Sequence, residues 1–215
     1  MRVKAVIFDL DGTLVDSRKD ISLAANRTLK DLGLPPLPEE TIVGFIGGGV
    51  DALVKLFLGA ENLHRFEEAL ALYRQHYAEG CTGHTVLYPG VREALDFLRS
   101  RYIPLALATN KSLFFTQRIL QHLGVDGYFS IVMGPEHVKN RKPDPEIINL
   151  ICQKLEILPE EALYIGDSEV DVECGKRAGT CTCAVTYGFT PLEPLVRAKP
   201  DFLLCDLSKL SLLLA

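Results

Sequence analysis

The sequence predicts a doubly wound (Rossmann-like) α/β fold, with a parallel sheet core and an inserted all-helical cap domain. From residue 86 onward, short apolar segments alternate with amphipathic helical segments, which is the pattern of parallel β-α-β units. Polar residues directly follow several of these apolar segments, as is typical of the binding edge of such a sheet. Between the first apolar segment and residue 86, the pattern is helical only.

The first strand is predicted at residues 5–8, which are apolar, β-branched or aromatic and far too few to span a membrane. Asp9 and Asp11 follow it, and the two-residue period of a strand places both carboxylates on the same side. Gly12 then permits a sharp turn. A buried strand that ends in two acidic side chains indicates that those side chains serve a function.

The helical insertion begins at Ser17, which forms a capping box with Asp20. Apolar residues then recur at helical spacing until Gly33 and two prolines end the helix. Three more helical stretches follow, at residues 39–46, 50–58 and 61–77.

We therefore expect two domains. Residues 1–15 and 81–215 would form an α/β catalytic core, and residues 16–80 would form a helical cap, or lid, over the strand ends. The hinges would lie at residues 14–16 and 80–85.

The remaining elements alternate in order along the chain. Ser112 can cap a helix that Gly124 closes, Pro145 stands in the first turn of the next helix, and Gly179 ends the one after that. The predicted strands are 103–108, 128–133, 163–166, 181–185 and 202–204, and the predicted helices between them are 112–123, 144–155 and 169–178.

Composition and charge limit the classes of binding partner that we expect for the chain. Of its 215 residues, 47% are hydrophobic and 24% are charged, and the net charge of −5 comes without any block of Lys or Arg. We therefore expect no nucleic-acid partner and no membrane partner. No apolar run is long enough to span a bilayer, and the first residues lack the features of a signal peptide, so we expect a cytoplasmic protein. The sequence leaves homo-oligomerisation open.

Polar residues at the predicted strand ends form one candidate site. Two carboxylates about 5 Å apart repel by about 3 kcal/mol at an effective dielectric constant near 20, so Asp9 and Asp11 require a cation, a shared proton or both. The other candidate residues follow later strands or lie in the proline-rich loop at 140–145, and they are Thr109, Asn110, Lys142, Asp167 and Asp171.

These residues, in this order, resemble the motifs of a known superfamily. The strings Asp9-x-Asp11-Gly12-Thr13, Thr109-Asn110, Lys142-Pro143 and Gly166-Asp167-x-x-x-Asp171 resemble the four ordered motifs of the haloacid-dehalogenase-like hydrolases. Asp11 is the residue that phosphatases and phosphomutases of the superfamily keep. The strings Leu32-Gly33-Leu34-Pro35-Pro36 and Ile46-Gly47-Gly48-Gly49 further resemble the bacterial phosphoglycolate phosphatases.

The resemblance implies a role for each motif residue. Asp9 would attack phosphorus and form an aspartyl-phosphate, and Asp11 would protonate the leaving alkoxide and then deprotonate the hydrolytic water. Thr109 and Asn110 would hold phosphoryl oxygens, and Lys142 would neutralise charge at the transferring group. The metal ligands would be Asp9, Asp167 and the backbone carbonyl of Asp11, with Asp171 either completing the metal site or orienting metal waters and Lys142.

A charge count supports a divalent cation. The four aspartates of the site give −4 and Lys142 adds +1, so a phosphate monoester dianion would meet a net charge of −3 unless a metal were bound. Oxygen ligands with room for water and phosphate favour Mg²⁺.

The implied function is Mg²⁺-dependent hydrolysis of 2-phosphoglycolate to glycolate and phosphate. We hypothesise that Gly47, Gly48 and Gly49, which precede a predicted helix, receive the substrate carboxylate with free N–H groups. The same turn contains no cation for a second phosphate group, as a sugar-bisphosphate mutase would need. The alternatives are a phosphatase for another small ester or for pyrophosphate, a phosphomutase, and a non-catalytic phosphate-binding regulatory module.

Overall fold

The structure is a computed structural model that describes residues 3–214. Its strands are β1 (Ala5–Phe8), β2 (Val15–Asp16), β3 (Val86–Leu87), β4 (Leu105–Ala108), β5 (Ile131–Met133), β6 (Ala162–Gly166), β7 (Cys181–Val185) and β8 (Phe202–Leu204). Its α-helices are α1 (Arg18–Asp31), α2 (Glu39–Val43), α3 (Val50–Leu58), α4 (Phe66–Gly80), α5 (Val91–Ser100), α6 (Leu113–His122), α7 (Glu146–Lys154), α8 (Glu169–Ala178), α9 (Leu192–Ala198) and α10 (Leu210–Leu213).

Six of the strands form one parallel sheet in the order β5-β4-β1-β6-β7-β8. From β1, the chain adds β4 and β5 in turn on one side of the sheet. It then crosses back, and β6, β7 and β8 follow in order on the other side of β1. This reversal beside β1 is the topological switch point, where parallel sheets bind ligands. The predicted fold class is confirmed.

The two faces of the sheet carry separate apolar clusters because strand residues alternate in direction. Val6 and Phe8 of β1 pack with residues such as Leu95 of α5 on one face. Ile7 packs on the other face with residues such as Ile148 of α7. All three β1 residues are fully buried, so this strand lies at the centre of the molecule.

In the sequence, helices α1–α4 lie between β2 and β3, two short strands that pair antiparallel with each other. The four helices share an apolar cluster of their own. Its buried members include Ala25 of α1, Val54 of α3 and Tyr73 of α4. Phe115 of α6 packs against this cluster from the sheet side. We refer to α1–α4 with their connections as the helical layer.

Several element boundaries differ from the predicted ones. The strand predicted at 128–133 is only Ile131–Met133, because Asp126–Tyr128 forms a 3-10 turn. The helix predicted at 61–77 becomes α4, displaced toward its C-terminus by a 3-10 turn over Ala60–Arg65. Within residues 3–214, no helix combines the length and apolar character needed to cross a bilayer.

Candidate active site

The site lies where β1, β4 and β6 end beside one another. Phe8 is in register with Leu107 on one side and with Ile165 on the other. The residues that follow these strands, Asp9, Thr109 and Asp167, therefore meet at one edge of the sheet, as the sequence led us to expect.

Lys142 is the central cation of the site. Its side chain is 2% exposed, and its Nζ donates to Asp9 Oδ1 at 2.8 Å and to Asp171 Oδ1 at 2.7 Å. Further contacts join Nζ to the hydroxyl of Tyr164 at 2.8 Å and to the carbonyl oxygen of Ala108 at 3.0 Å. Burial lowers the pKa of Lys142, but the charges of Asp171 and Asp9 outweigh it and hold the pKa above its usual value. Lys142 is therefore a fixed positive charge beside Asp9.

Asp171 is fully engaged by protein groups. Its Oδ1 accepts from Lys142 and from the Tyr164 hydroxyl at 2.8 Å, and its Oδ2 accepts from the backbone N–H and the hydroxyl of Ser168. Burial alone would raise the pKa of Asp171, but the Lys142 charge and these hydrogen bonds bring it below its usual value. These contacts thus favour the ionised form of Asp171, which orients Lys142.

Asp9 and Asp167 are in the opposite electrostatic situation. Burial raises the pKa of Asp9 to about 7, although Lys142 opposes the rise. Burial and the charges of Asp171 and Asp9 together raise the pKa of Asp167 well above its usual value. Two buried carboxylates that cannot both ionise cheaply form a site that a cation would stabilise.

The residues present fit a divalent metal ion. Carboxylate oxygens of Asp9, Asp167 and Asp171 all lie within 4.8 Å of one another. Asp167 Oδ2 accepts the backbone N–H of Phe189 at 2.7 Å, whereas no hydrogen bond within residues 3–214 reaches its Oδ1 or the Oδ2 of Asp9. An all-oxygen donor set with unused oxygens is the type of site that Mg²⁺ binds.

The turn after β1 brings the protein backbone close to this cluster. Gly12 has a φ of +82°, and a Cβ atom placed on it would lie 2.1 Å from Asp167 Oδ2. Only glycine fits here, for both its backbone conformation and its lack of a side chain.

Asp11 has a cationic partner that the sequence analysis missed. Lys111 Nζ lies 2.7 Å from Asp11 Oδ2 and 3.0 Å from Oδ1, and the hydroxyl of Ser17 donates to Oδ1 at 2.5 Å. The ammonium group also lies 4.8 Å from the ring centroid of Tyr77 in the helical layer. With Lys111 included, the four aspartates and two lysines carry a net charge of −2 rather than the −3 obtained from the motifs alone.

Thr109 and Asn110 are placed differently from each other. The Thr109 hydroxyl oxygen accepts the Lys111 N–H at 3.1 Å, which leaves its hydrogen for another acceptor. The Asn110 side-chain amide donates to Gly47 O at 2.8 Å and to Lys142 O at 3.2 Å, and its oxygen accepts the Lys142 N–H. Its side chain thus links the helical layer to the lysine loop, and the donor that it has left is its backbone N–H, which makes no hydrogen bond within residues 3–214.

The glycine turn of the helical layer borders the same cavity. Gly47 and Gly49 line it, with φ values of +124° and +84°, and Gly49 immediately precedes α3. Gly48 is not among the lining residues, and its carbonyl oxygen accepts from Arg141. Arg141 also pairs with Asp51 of α3 at 2.7 Å.

All of the predicted site residues except Gly48 line a single cavity of about 600 Å³. Two further polar residues of the network were missed for different reasons. Lys111 directly follows Asn110, so its position one residue past the polar pair after β4 is the sequence signal that indicates it. Tyr164 lies inside β6, where only the order of the strands reveals that its hydroxyl reaches Lys142.

A lysine held between buried carboxylates, at the switch point of a doubly wound sheet and beneath a helical layer, defines a class of α/β enzyme that acts on anionic substrates. Residues 6–185 match the family model described as haloacid dehalogenase-like hydrolase. The chain is also 39% identical to a phosphoglycolate phosphatase from Aquifex aeolicus, over 97% of this chain and 96% of that one. An N-acetylmuramic acid 6-phosphate phosphatase from Pseudomonas putida is 37% identical over 88% of this chain and 85% of its own.

Structural similarity agrees with these relationships. The crystal structure of a predicted phosphoglycolate phosphatase from Haemophilus somnus superposes with a TM-score of 0.95 at 30% identity, covering 100% of this chain and 99% of that one. The chain therefore belongs to the haloacid dehalogenase-like hydrolase family, and within this family it is a phosphatase.

Proposed function

We propose that the protein is a Mg²⁺-dependent phosphatase that hydrolyses 2-phosphoglycolate through an aspartyl-phosphate on Asp9. The observation that carries this proposal is the ion-pair network of Asp9, Lys142 and Asp171, with Asp167 beside it. The substrate assignment is supported by relatives from several bacteria that are named phosphoglycolate phosphatases at 34–39% identity.

In the first step, a carboxylate oxygen of Asp9 attacks phosphorus and the bond from phosphorus to the ester oxygen breaks. Lys142 limits the negative charge at the nucleophile, because its ammonium lies 2.8 Å from Asp9 Oδ1. Asp11 acts as the general acid that supplies a proton to the leaving alkoxide. The Thr109 hydroxyl and the backbone N–H of Asn110 are the donors available for phosphoryl oxygens.

In the second step, water attacks the phosphoryl group and the acyl phosphate bond to Asp9 breaks. Asp11 takes the proton of this water and so returns to the form that starts the cycle. Lys111 holds the ionised carboxylate in place between these events, through its contacts at 2.7 and 3.0 Å.

Asp9, Asp167 and the backbone carbonyl of Asp11 would hold the Mg²⁺ ion. When bound, the ion supplies positive charge that neutralises the carboxylates and the phosphoryl oxygens. Asp171 would act through Lys142, since both of its oxygens are already engaged.

We further propose that residues 16–80 act as the cap and residues 1–15 and 81–215 as the catalytic core. Gly47–Gly49 and the start of α3 would receive the substrate carboxylate, and the arrangement would exclude bulk water from the phosphoryl group. No separate observation favours the mutase or the regulatory module over hydrolysis.

The test is phosphate release from 2-phosphoglycolate with Mg²⁺, measured for the wild type and for Asp9→Asn. We expect the variant to lose activity by at least three orders of magnitude, because the amide cannot act as the nucleophile. Asp126→Asn, at an exposed position, is the matched control and should retain full activity. Equal phosphate release by the wild type and Asp9→Asn would disprove the assignment of the nucleophile.

A further inference from the structure

The lining of the cavity above the strand ends includes both charged and apolar side chains. The charged ones are the aspartates and lysines described above, together with Arg74, Glu136 and Arg141. Much of the remaining lining is aliphatic or aromatic and comes both from the helical layer and from α6, and it includes Ile46, Val50, Leu53, Tyr73, Phe114 and Phe115.

The helical layer that bounds this cavity is docked on the core. On one side, Asn110 donates to Gly47 O at 2.8 Å and Arg141 pairs with Asp51 at 2.7 Å. On the other side, Arg118 donates to the carbonyl oxygen of Ala78 at 2.8 Å. The rings of Tyr77 and Phe115 also meet there in a T-shaped contact, with centroids 4.9 Å apart. The helical layer therefore contacts the core at several points among the residues that line the cavity.

The volume of the cavity exceeds what a two-carbon acid ester needs. A molecule of the size of 2-phosphoglycolate displaces roughly the volume of five water molecules, or about 150 Å³. The cavity holds about 600 Å³, which lies in the range of pockets that enclose much larger organic ligands against apolar walls.

We propose that the enzyme also hydrolyses phosphate monoesters whose leaving group carries a bulky apolar substituent. This substituent packs against the aliphatic and aromatic lining of the cavity. The inference rests on the proposed function only for the chemistry at phosphorus. The same bond from phosphorus to the ester oxygen breaks, and water supplies the oxygen that phosphate gains and the proton that the leaving alkoxide gains.

Ethyl phosphate and 2-phenylethyl phosphate form a matched pair for the test. Both release a primary alkoxide and neither carries a carboxylate, so they differ mainly in the phenyl group. We expect kcat/KM with Mg²⁺ to be at least tenfold higher for 2-phenylethyl phosphate, since burial of a Phe-sized ring is worth roughly ten- to a hundredfold in binding. A ratio below ten would overturn the inference.

Phe114 tests the location of the proposed contact. It lies in the first turn of α6, is 59% exposed and lines the cavity, so its replacement leaves the buried core intact. We expect Phe114→Ser to reduce the ratio of the two kcat/KM values at least threefold, and Phe114→Leu to keep it near the wild-type value. A ratio that is unchanged in Phe114→Ser would show that the substituent does not pack here and would overturn the inference.

Assays of 2-phosphoglycolate in parallel distinguish the two failures. If 2-phosphoglycolate is hydrolysed but the phenyl group gives no advantage, the inference fails and the proposed function stands. If 2-phenylethyl phosphate is hydrolysed and 2-phosphoglycolate is not, the proposed substrate fails and the inference stands. If no ester releases phosphate, both fail.

Discussion

Replacement of Lys142 by Met removes the cation that, within residues 3–214, pairs with both Asp9 and Asp171. At an effective dielectric constant near 20 and about 4 Å between centres of charge, each of its two ion pairs contributes about 4 kcal/mol of attraction. Desolvation of the ammonium offsets part of this attraction, and loss of one partner from a buried pair typically costs about 3–5 kcal/mol. We therefore expect Lys142→Met to lower the free energy of unfolding by about 3–5 kcal/mol in metal-free buffer.

The same substitution should reduce catalysis. Without the ammonium, the metal-free site loses the charge that offsets burial and Asp171 at Asp9, so the pKa of Asp9 rises further and its carboxylate is harder to ionise. The transferring phosphoryl group also loses a charge partner, which is worth about a hundred- to a thousandfold in kcat.

Urea unfolding in EDTA measures the stability, and phosphate release with saturating Mg²⁺ measures kcat. Lys139→Met is the matched control, because Lys139 is exposed in the same loop and its ammonium group makes no hydrogen bond or ion pair within residues 3–214. The control should change neither quantity. If Lys142→Met kept kcat within tenfold of the wild type and lost under about 1 kcal/mol of stability, the electrostatic account of the site would be wrong.

Three further predictions concern the metal, the base of the helical layer and the glycine turn. Because burial raises the pKa of Asp9 to about 7, the metal-free folded state retains a proton that the unfolded chain loses near pH 4, and its stability falls as pH rises between these values. Thermal stabilisation by Mg²⁺ should therefore be larger at pH 8 than at pH 5, and the reverse order would contradict this. Asp20 accepts the backbone N–H groups of His84 and Thr85 and the Thr85 hydroxyl, and although burial opposes it, these hydrogen bonds lower its pKa. The stabilisation by Asp20 is thus present above about pH 4 and is lost as pH falls through the lower folded pKa. Asp20→Asn should therefore lower the free energy of unfolding in urea by about 2 kcal/mol at pH 7 and by less at pH 3. Equal losses at the two pH values would refute the reasoning. A Cβ atom on Gly48 would lie 2.9 Å from that of Ala52, so Gly48→Ala should shift the turn and raise KM for 2-phosphoglycolate about tenfold, and an unchanged KM would remove the turn from substrate binding.

The fold could be predicted from the sequence because each signal was local. The apolar run of β1, the glycines that end helices and the alternation of strands and helices each depend on a few adjacent residues. The capping box predicted at Ser17 and Asp20 does not form, because Ser17 donates to Asp11 and Asp20 accepts from the backbone at residues 84 and 85. The boundaries were less accurate where a 3-10 turn competes with regular structure. The run from 128 to 130, for example, is apolar or small enough for a strand, but Tyr128 N bonds to Val125 O and closes a turn instead.

The site could be predicted in part for a related reason. Strand-end residues can be recognised in the sequence because they follow apolar runs. Asp9, Thr109 and Asp167 are such residues, and they meet at one edge of the sheet. Their roles stay predictions. The partners of those residues depend on the order of the strands and on side-chain reach, neither of which is local. Tyr164 is an ordinary strand residue until β6 is known to lie beside β1.

The contacts of Asn110 connect the two layers in a way that no motif indicates. Its amide group donates to Gly47 of the helical layer, and its oxygen and amide hold the backbone of Lys142 in place. The residue that anchors the glycine turn is thus the same one that positions the loop of the central cation. Because one planar amide serves both partners, a shift of the turn by an ångström would break a hydrogen bond to Gly47 or displace the Lys142 loop. Docking of the helical layer and placement of Lys142 beside Asp9 are therefore coupled through this side chain, in addition to the contacts that the neighbouring Arg141 makes with the helical layer.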